Sequence, residues 1–279
     1  MLRPIGPTLA SIWLTAGAFL AGHAAQSPMP DATKVLAAAR EALGGEKRLS
    51  AVKSFVATGR TQQVRGNNLV PIEFEIACEL PDKFRRTDEI PVQESGRTAS
   101  GFNGDDLIQV PPAAATGRGG PGPTPEQQDA ARRARAAAAK QDFVRLTMGM
   151  FAASFSIYPL TFAYVGKAEA PQGQADVIDV KGPADFALRL FVNSDTHLPL
   201  MVSWQAPAGR GPAPGAGPGG RGSDNVENRL YYADYRDVNG LKWPFRLRRS
   251  AGADTVEETT FDGFRTNVKI DAKKFDLTR

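Results

Sequence analysis

The chain has 279 residues, 42% hydrophobic and 23% charged, with a formal net charge of +4, 28 glycines, 21 prolines and one cysteine. Acids and bases are interspersed and the basic excess is small. This is compatible with an anionic lipid surface and leaves no block suited to nucleic acid. One Cys excludes an internal disulfide framework, and a chain of this length buries a sizeable core without one.

Arg3 precedes the apolar run TLASIWLTAGAFLA (residues 8–21), and Gly22 and Ala24 then stand in a small-x-small pattern before Ala25. This reads as a cleaved export signal over 1–25, leaving a mature domain over 26–279. Loss of Arg3 takes the formal charge from +4 to +3. The run falls short of the ~20 apolar residues that cross a bilayer, and no later stretch reaches that length. A periplasmic protein with no transmembrane segment after cleavage is therefore expected. No Cys follows the run to carry an acyl anchor.

Asp31 N-caps an Ala/Leu-rich helix over 31–43 that Gly44 and Gly45 end. Residues 52–66 read as a strand, and 69–80 more clearly so. There Ile72, Phe74, Ile76, Cys78 and Leu80 share one face, while Glu73, Glu75 and Glu79 share the other. Cys78 on that strand reads as a small buried hydrophobe. Pro81-Asp82 turns the chain into KFRRTDEI, and 99–110 makes a hairpin at Asn103-Gly104.

Residues 111–123 form a flexible Gly/Pro-rich loop. Thr124, Pro125 and Gln127 then start a helix as N-cap, N1 and N3. Its first half is Ala/Arg-rich and its second half apolar, from Phe143 to Phe151. Hairpins follow at 160–182 and 185–205, the latter turning at Asn193–His197 with Phe186, Leu188, Leu190 and Val192 on one face. A second Gly/Pro-rich loop spans 206–224. The hairpin at 228–252 turns at Asn239-Gly240, with Trp243, Phe245 and Leu247 alternating with Lys242, Arg246 and Arg248. VEETTFDGFRTNVKI closes the sheet. The pattern predicts an α+β fold: one antiparallel, unclosed β-half-barrel of about ten strands, with a short N-terminal helix and a central helix as lid or plug.

Residues suited to chemistry are sparse. The mature chain holds one His, His197, and one Cys, so a Cys/His zinc cluster is excluded and no metal or cofactor is expected. Asp224, Glu227, Asp234 and Asp237 have no ligand spacing and read as solvated turn charges. A triad of His197 with Asp195 and Ser203 lacks a G-x-S-x-G elbow. Glu73, Glu75 and Glu79 read as the wet side of a strand rather than glycosidase carboxylates. The Gly-rich loops lack the strand–loop–helix setting of a phosphate cradle, and export removes RNA as a partner of their Arg-Gly pairs.

The amphipathic strands instead predict a concave apolar face beneath the central helix. Its expected lining is Phe74, Phe84, Met148, Phe151, Phe162, Phe191, Trp204, Tyr232, Trp243 and Phe245. A plain core of helix packed on sheet would account for the same pattern.

The order of elements carries a resemblance. A short helix ends in Ala-Leu-Gly-Gly, and paired strands lead to Leu80-Pro81-Asp82-Lys83-Phe84-Arg85. After the central helix come Asp195 to Pro199, then Asp234-Tyr235 and Gly240-Leu241 to Pro244. Over most of 31–279 this resembles the LolA/LolB lipoprotein-localisation fold and its periplasmic relatives. The resemblance implies a non-enzymatic carrier that holds a lipid or lipoprotein acyl chain in an apolar cavity, with no catalytic residues. Without an anchor Cys, the chain is similar to the soluble carrier rather than the outer-membrane acceptor. Two alternatives remain: an envelope sensor or structural domain of the same shape that engages a transient protein partner, and an exported hydrolase built on His197.

Overall fold

The computed structural model describes residues 31–91, 96–112, 124–170, 173–207 and 225–277. The expected signal segment 1–25 and most of both Gly/Pro-rich loops lie outside the described residues.

Two short helices open the fold, α1 (Ala32–Ala42) and α2 (Glu46–Ala51). The Asp31 side chain accepts a hydrogen bond from the Thr33 N–H at 3.2 Å and so caps α1. Five strands follow: β1 (Ser54–Arg65), β2 (Asn68–Glu79), β3 (Lys83–Glu89), β4 (Thr98–Asn103) and β5 (Asp106–Val110). A long helix, α3 (Pro125–Phe151), comes next. Seven more strands complete the sheet: β6 (Thr161–Ala170), β7 (Gly173–Lys181), β8 (Ala187–Asn193), β9 (Pro199–Pro207), β10 (Asn225–Val238), β11 (Leu241–Ala251) and β12 (Asp254–Thr266). A short 3₁₀ helix, Ala272–Phe275, lies near the C-terminus.

All 12 strands form one antiparallel sheet in the order β5-β4-β3-β2-β1-β12-β11-β10-β9-β8-β7-β6. Its centre joins the ends of the chain: β1 pairs β12, with Phe55 opposite Thr266 and Gln63 opposite Glu257. The two edges, β5 and β6, do not pair with each other, so the sheet is unclosed. The chain passes between those edges through α3. The predicted α+β open sheet is present, but the expectation of about ten strands is corrected to 12. The hairpin expected over 99–110 is present as β4 and β5, with six and five residues.

Alternation places the core. Ile72, Phe74, Ile76 and Cys78 are buried on one face of β2, and Phe74, Ile76 and Cys78 share a core cluster with Leu188, Leu190 and Val192 of β8. Side chains from all three helices join this inner face in one cluster, among them Val35, Leu49 and Met148. Burying each such aliphatic side chain contributes about 1.5–3 kcal/mol. Between β10 and β11, Asn239 and Gly240 take positive φ, 57° and 78°, as a two-residue hairpin turn requires.

The outer face has a small core of its own. Ile270 and Phe275, from the segment after β12, cover Val56, Ala77 and Ile108. Ser54 Oγ donates to the Val268 carbonyl at 2.7 Å, and Arg85 Nη1 donates to the Lys274 carbonyl at 2.5 Å.

Candidate ligand-binding site

The helix over the inner face is built in two parts. Its start is a capping box: the Gln127 N–H donates to Thr124 Oγ1 at 3.3 Å, and the Thr124 N–H donates to Gln127 Oε1 at 2.9 Å. Of residues 125–139 only Ala136 is buried, whereas Phe143, Val144 and every residue from Leu146 to Phe151 are buried. The Ala/Arg half thus stands off the sheet while the apolar half is packed into it. The Tyr232 hydroxyl donates to the Arg145 carbonyl, and the Tyr235 hydroxyl stands 2.8 Å from the Gly149 carbonyl. Arg40 Nη1 of α1 donates to the Phe151 carbonyl at 2.9 Å, holding the far end.

Beneath the packed half, aromatic rings pack against one another. Trp243 stacks on Phe264 with ring centroids 4.6 Å apart, and its centroid lies 5.5 Å from Phe55 and 5.6 Å from Phe151. Beneath the other half a cleft of about 780 Å³ remains between α3 and the inner face. That is within the range of about 300–1,000 Å³ usual for small-molecule sites. Its apolar walls include Phe84, Leu146, Trp204, Leu230, Leu247 and Phe261, and it reaches solvent past the exposed Ser100 and Arg135. Arg145 and Trp204 also border a smaller hollow of about 540 Å³, and so form the partition between the two.

Structures of known proteins share this architecture. A LolA superfamily protein from Nitrosomonas europaea superposes with a TM-score of 0.53 at 13% identity, over 88% of this chain and 98% of that one. A structure described as a candidate outer-membrane lipoprotein-sorting protein domain, from Vibrio parahaemolyticus, gives a TM-score of 0.55 at 13% identity, over 89% and 100%. The fold is LolA-like. No family model matches the sequence, and no curated protein matches it.

On this LolA-like frame the ten expected lining residues separate. Phe84 and Trp204 line the cleft. Met148, Phe151, Tyr232, Trp243 and Phe245 belong to the buried core cluster, as does Phe74, which meets Phe261 edge-on at 5.4 Å. Phe162 is half-buried against the same cluster. Phe191 is a correction: it alternates with the fully buried Leu190 and Val192 and so faces the other side of the sheet. A one-residue step reverses the face of a strand side chain.

Leu146, Leu230, Leu247 and Phe261 line the cleft without having been singled out, and so do Arg86, Arg145 and Arg249. One signal was available for Arg249. It continues the inward series Trp243, Phe245, Leu247 at period two, which puts a cation where an apolar side chain is due.

The other chemistry-bearing residues have structural roles. The exposed His197 sits in the β8–β9 turn with φ 57°, and its N–H donates to the Asn193 carbonyl at 2.9 Å. Asn193 Oδ1 accepts from the N–H groups of Asp195 and Thr196, which shapes that turn. Ser203 is buried in β9. Glu73, Glu75 and Glu79 pair with Arg60, Lys274 and Lys83, while Glu227 and Asp234 pair with Arg229 and Arg236. Asp237 accepts from the Gly240 N–H at 2.9 Å, and Asp224 lies outside the described residues. Among the described residues no group of three or more His, Cys, Asp or Glu could hold a metal ion. No helix among them is long and apolar enough to cross a membrane.

Proposed function

We propose that this protein is a periplasmic carrier that holds the acyl chain of a lipid or of an acylated polypeptide, with no covalent chemistry. The observation that carries the reading is the cleft of about 780 Å³ between α3 and the inner face, walled by apolar side chains. The export-type N-terminus supports the compartment, and the lipoprotein-sorting description of the Vibrio relative supports the class of guest.

Each buried methylene contributes about 0.8 kcal/mol, so part of one chain suffices for reversible capture. Phe84 and Trp204 touch the guest in this reading, joined by Leu146, Leu230, Leu247 and Phe261. The remaining inward aromatics, packed on one another, fix the shape of the cleft. Hand-over involves a transient partner in the envelope.

The test is native mass spectrometry of protein purified from its own envelope, with titration of a fluorescent fatty acid. Co-purified lipid, or saturable uptake weakened at least tenfold by the cleft-filling Leu230→Trp, supports carriage. An empty protein that takes up no probe removes it.

A further inference from the structure

The cleft is not neutral. Its lining carries four arginines, Arg86, Arg135, Arg145 and Arg249, against two carboxylates, Asp142 and Glu257. Two of the four converge on one ring. The guanidinium carbon of Arg145, from α3, lies 4.5 Å from the Trp204 ring centroid, and that of Arg249, from β11, lies 5.5 Å from it.

Arg86 is already engaged, with Asp88 Oδ1 at 2.7 Å and Thr61 Oγ1 at 3.0 Å. Arg145 finds Asp142 Oδ1 at 2.7 Å and Gln141 Oε1 at 3.3 Å. Arg249 pairs with no carboxylate among the described residues. Its cross-strand neighbour Glu257 instead stands 3.4 Å from the Thr259 hydroxyl. The Nε atoms of Arg145 and Arg249 are both buried without a hydrogen-bond partner. Burial pushes Arg145 below its ordinary pKa; Asp142 opposes that shift and the charge of Arg249 adds to it.

Two like charges beside one indole, each with an unpaired buried donor, form an arrangement that an anion completes. Guanidinium groups present forked donors matched to carboxylate and phosphate oxygens. Leu146, Leu230, Leu247 and Phe261 beside them match a hydrocarbon, which a free inorganic anion would leave unmatched.

We propose that Arg145, Trp204 and Arg249 form a headgroup subsite for the oxyanion, carboxylate or phosphate, of an amphiphile whose chain lies along the cleft. This rests on the carriage reading and adds the sign and position of the charged end. The headgroup sits at the partition, and the tail runs away from it beneath α3.

Calorimetric titration of the full chain at low salt, below micelle-forming concentrations, tests it with four probes: dodecanoate, dodecyl phosphate, dodecanol and inorganic phosphate. Dodecanoate or dodecyl phosphate is expected to bind at least tenfold more tightly than dodecanol. Arg249→Gln is expected to bring that ratio towards one, and Arg249→Lys to keep part of it. Dodecanol binding as tightly as both anions overturns the subsite and leaves carriage standing. Inorganic phosphate binding as tightly as dodecyl phosphate overturns the amphiphile, and a ratio unmoved by Arg249→Gln overturns the assignment to this residue. Binding of no alkyl probe overturns carriage and subsite together. The comparison of probes on the unsubstituted protein decides the matter even where a variant does not fold.

Discussion

The ring of Tyr232 stands where a side chain on Gly149 would have to go: a Cβ there would meet Cδ1 of the tyrosine at 2.4 Å. The absence of that atom lets α3 descend onto β10, and the Tyr232 hydroxyl bonds the helix one turn earlier, at the Arg145 carbonyl. Gly149→Ala gains roughly 0.5–1 kcal/mol of helix propensity and loses roughly 1–3 kcal/mol to overpacking. The overpacking wins. Denaturant unfolding is expected to show lower stability, and an equal or higher midpoint would show that the contact yields easily.

Trp243 is buried among Phe55, Phe151 and Phe264, yet its indole Nε1 has no hydrogen-bond partner. Trp243→Ala is expected to destabilise by about 3–5 kcal/mol through the void it leaves. Trp243→Phe keeps the ring contacts and removes the orphaned donor, so its cost is expected below about 1.5 kcal/mol. Urea unfolding of the two variants side by side measures the difference. Equal losses would mean that the indole N–H is satisfied.

Phe275 holds the chain's last helical turn against Ala77 and Ile108 on the outer face. Phe275→Ala is expected to lose about 3–5 kcal/mol and to speed amide exchange over 267–277. Exchange there as fast in the unsubstituted protein as in the variant would show that the segment is not docked.

Cys78 is fully buried, and burial first, then the charges of Glu79 and Asp82, push its thiol well above the usual range. The unfolded thiol ionises near pH ~8.5 while the folded one stays protonated. Its contribution is therefore whole below that pH and declines as pH rises, by at most about 1.4 kcal/mol per unit. Unfolding midpoints are expected to fall between pH 8 and pH 10, and less steeply in Cys78→Ala. A thiol reagent is expected to label the protein only after denaturation. Rapid labelling of the native protein would contradict the burial.

Much of this architecture was legible in the sequence because it depends on local devices. The alternation over 69–80 gave the two faces of β2, Thr124-Pro125-Glu126-Gln127 gave the capping box, and Asn239-Gly240 gave the tight turn. The outer mini-core was not legible. Ala77 is small and sits among glutamates, so nothing local says that Phe275 will cover it from nearly two hundred residues away. The site was only half legible. Period-two apolarity says that Trp243 and Trp204 are both buried, but not that neighbouring rings fill the space around one while the other borders a cleft. That difference comes from where α3 stands off the sheet, a distance that no residue pattern encodes.

The pairing of β1 with β12 sets an order of assembly. Residues 54–110 and 161–266 can each zip up as a meander from neighbouring hairpins, whereas the seam between them must close a loop of about two hundred residues, Phe55 finding Thr266. Until the final strand emerges, the flanks of β1 and β11 are open edges, ready to add a foreign strand. The middle of the sheet, where every strand is paired on both sides in the finished molecule, is thus the place where a nascent or truncated chain is most prone to aggregate.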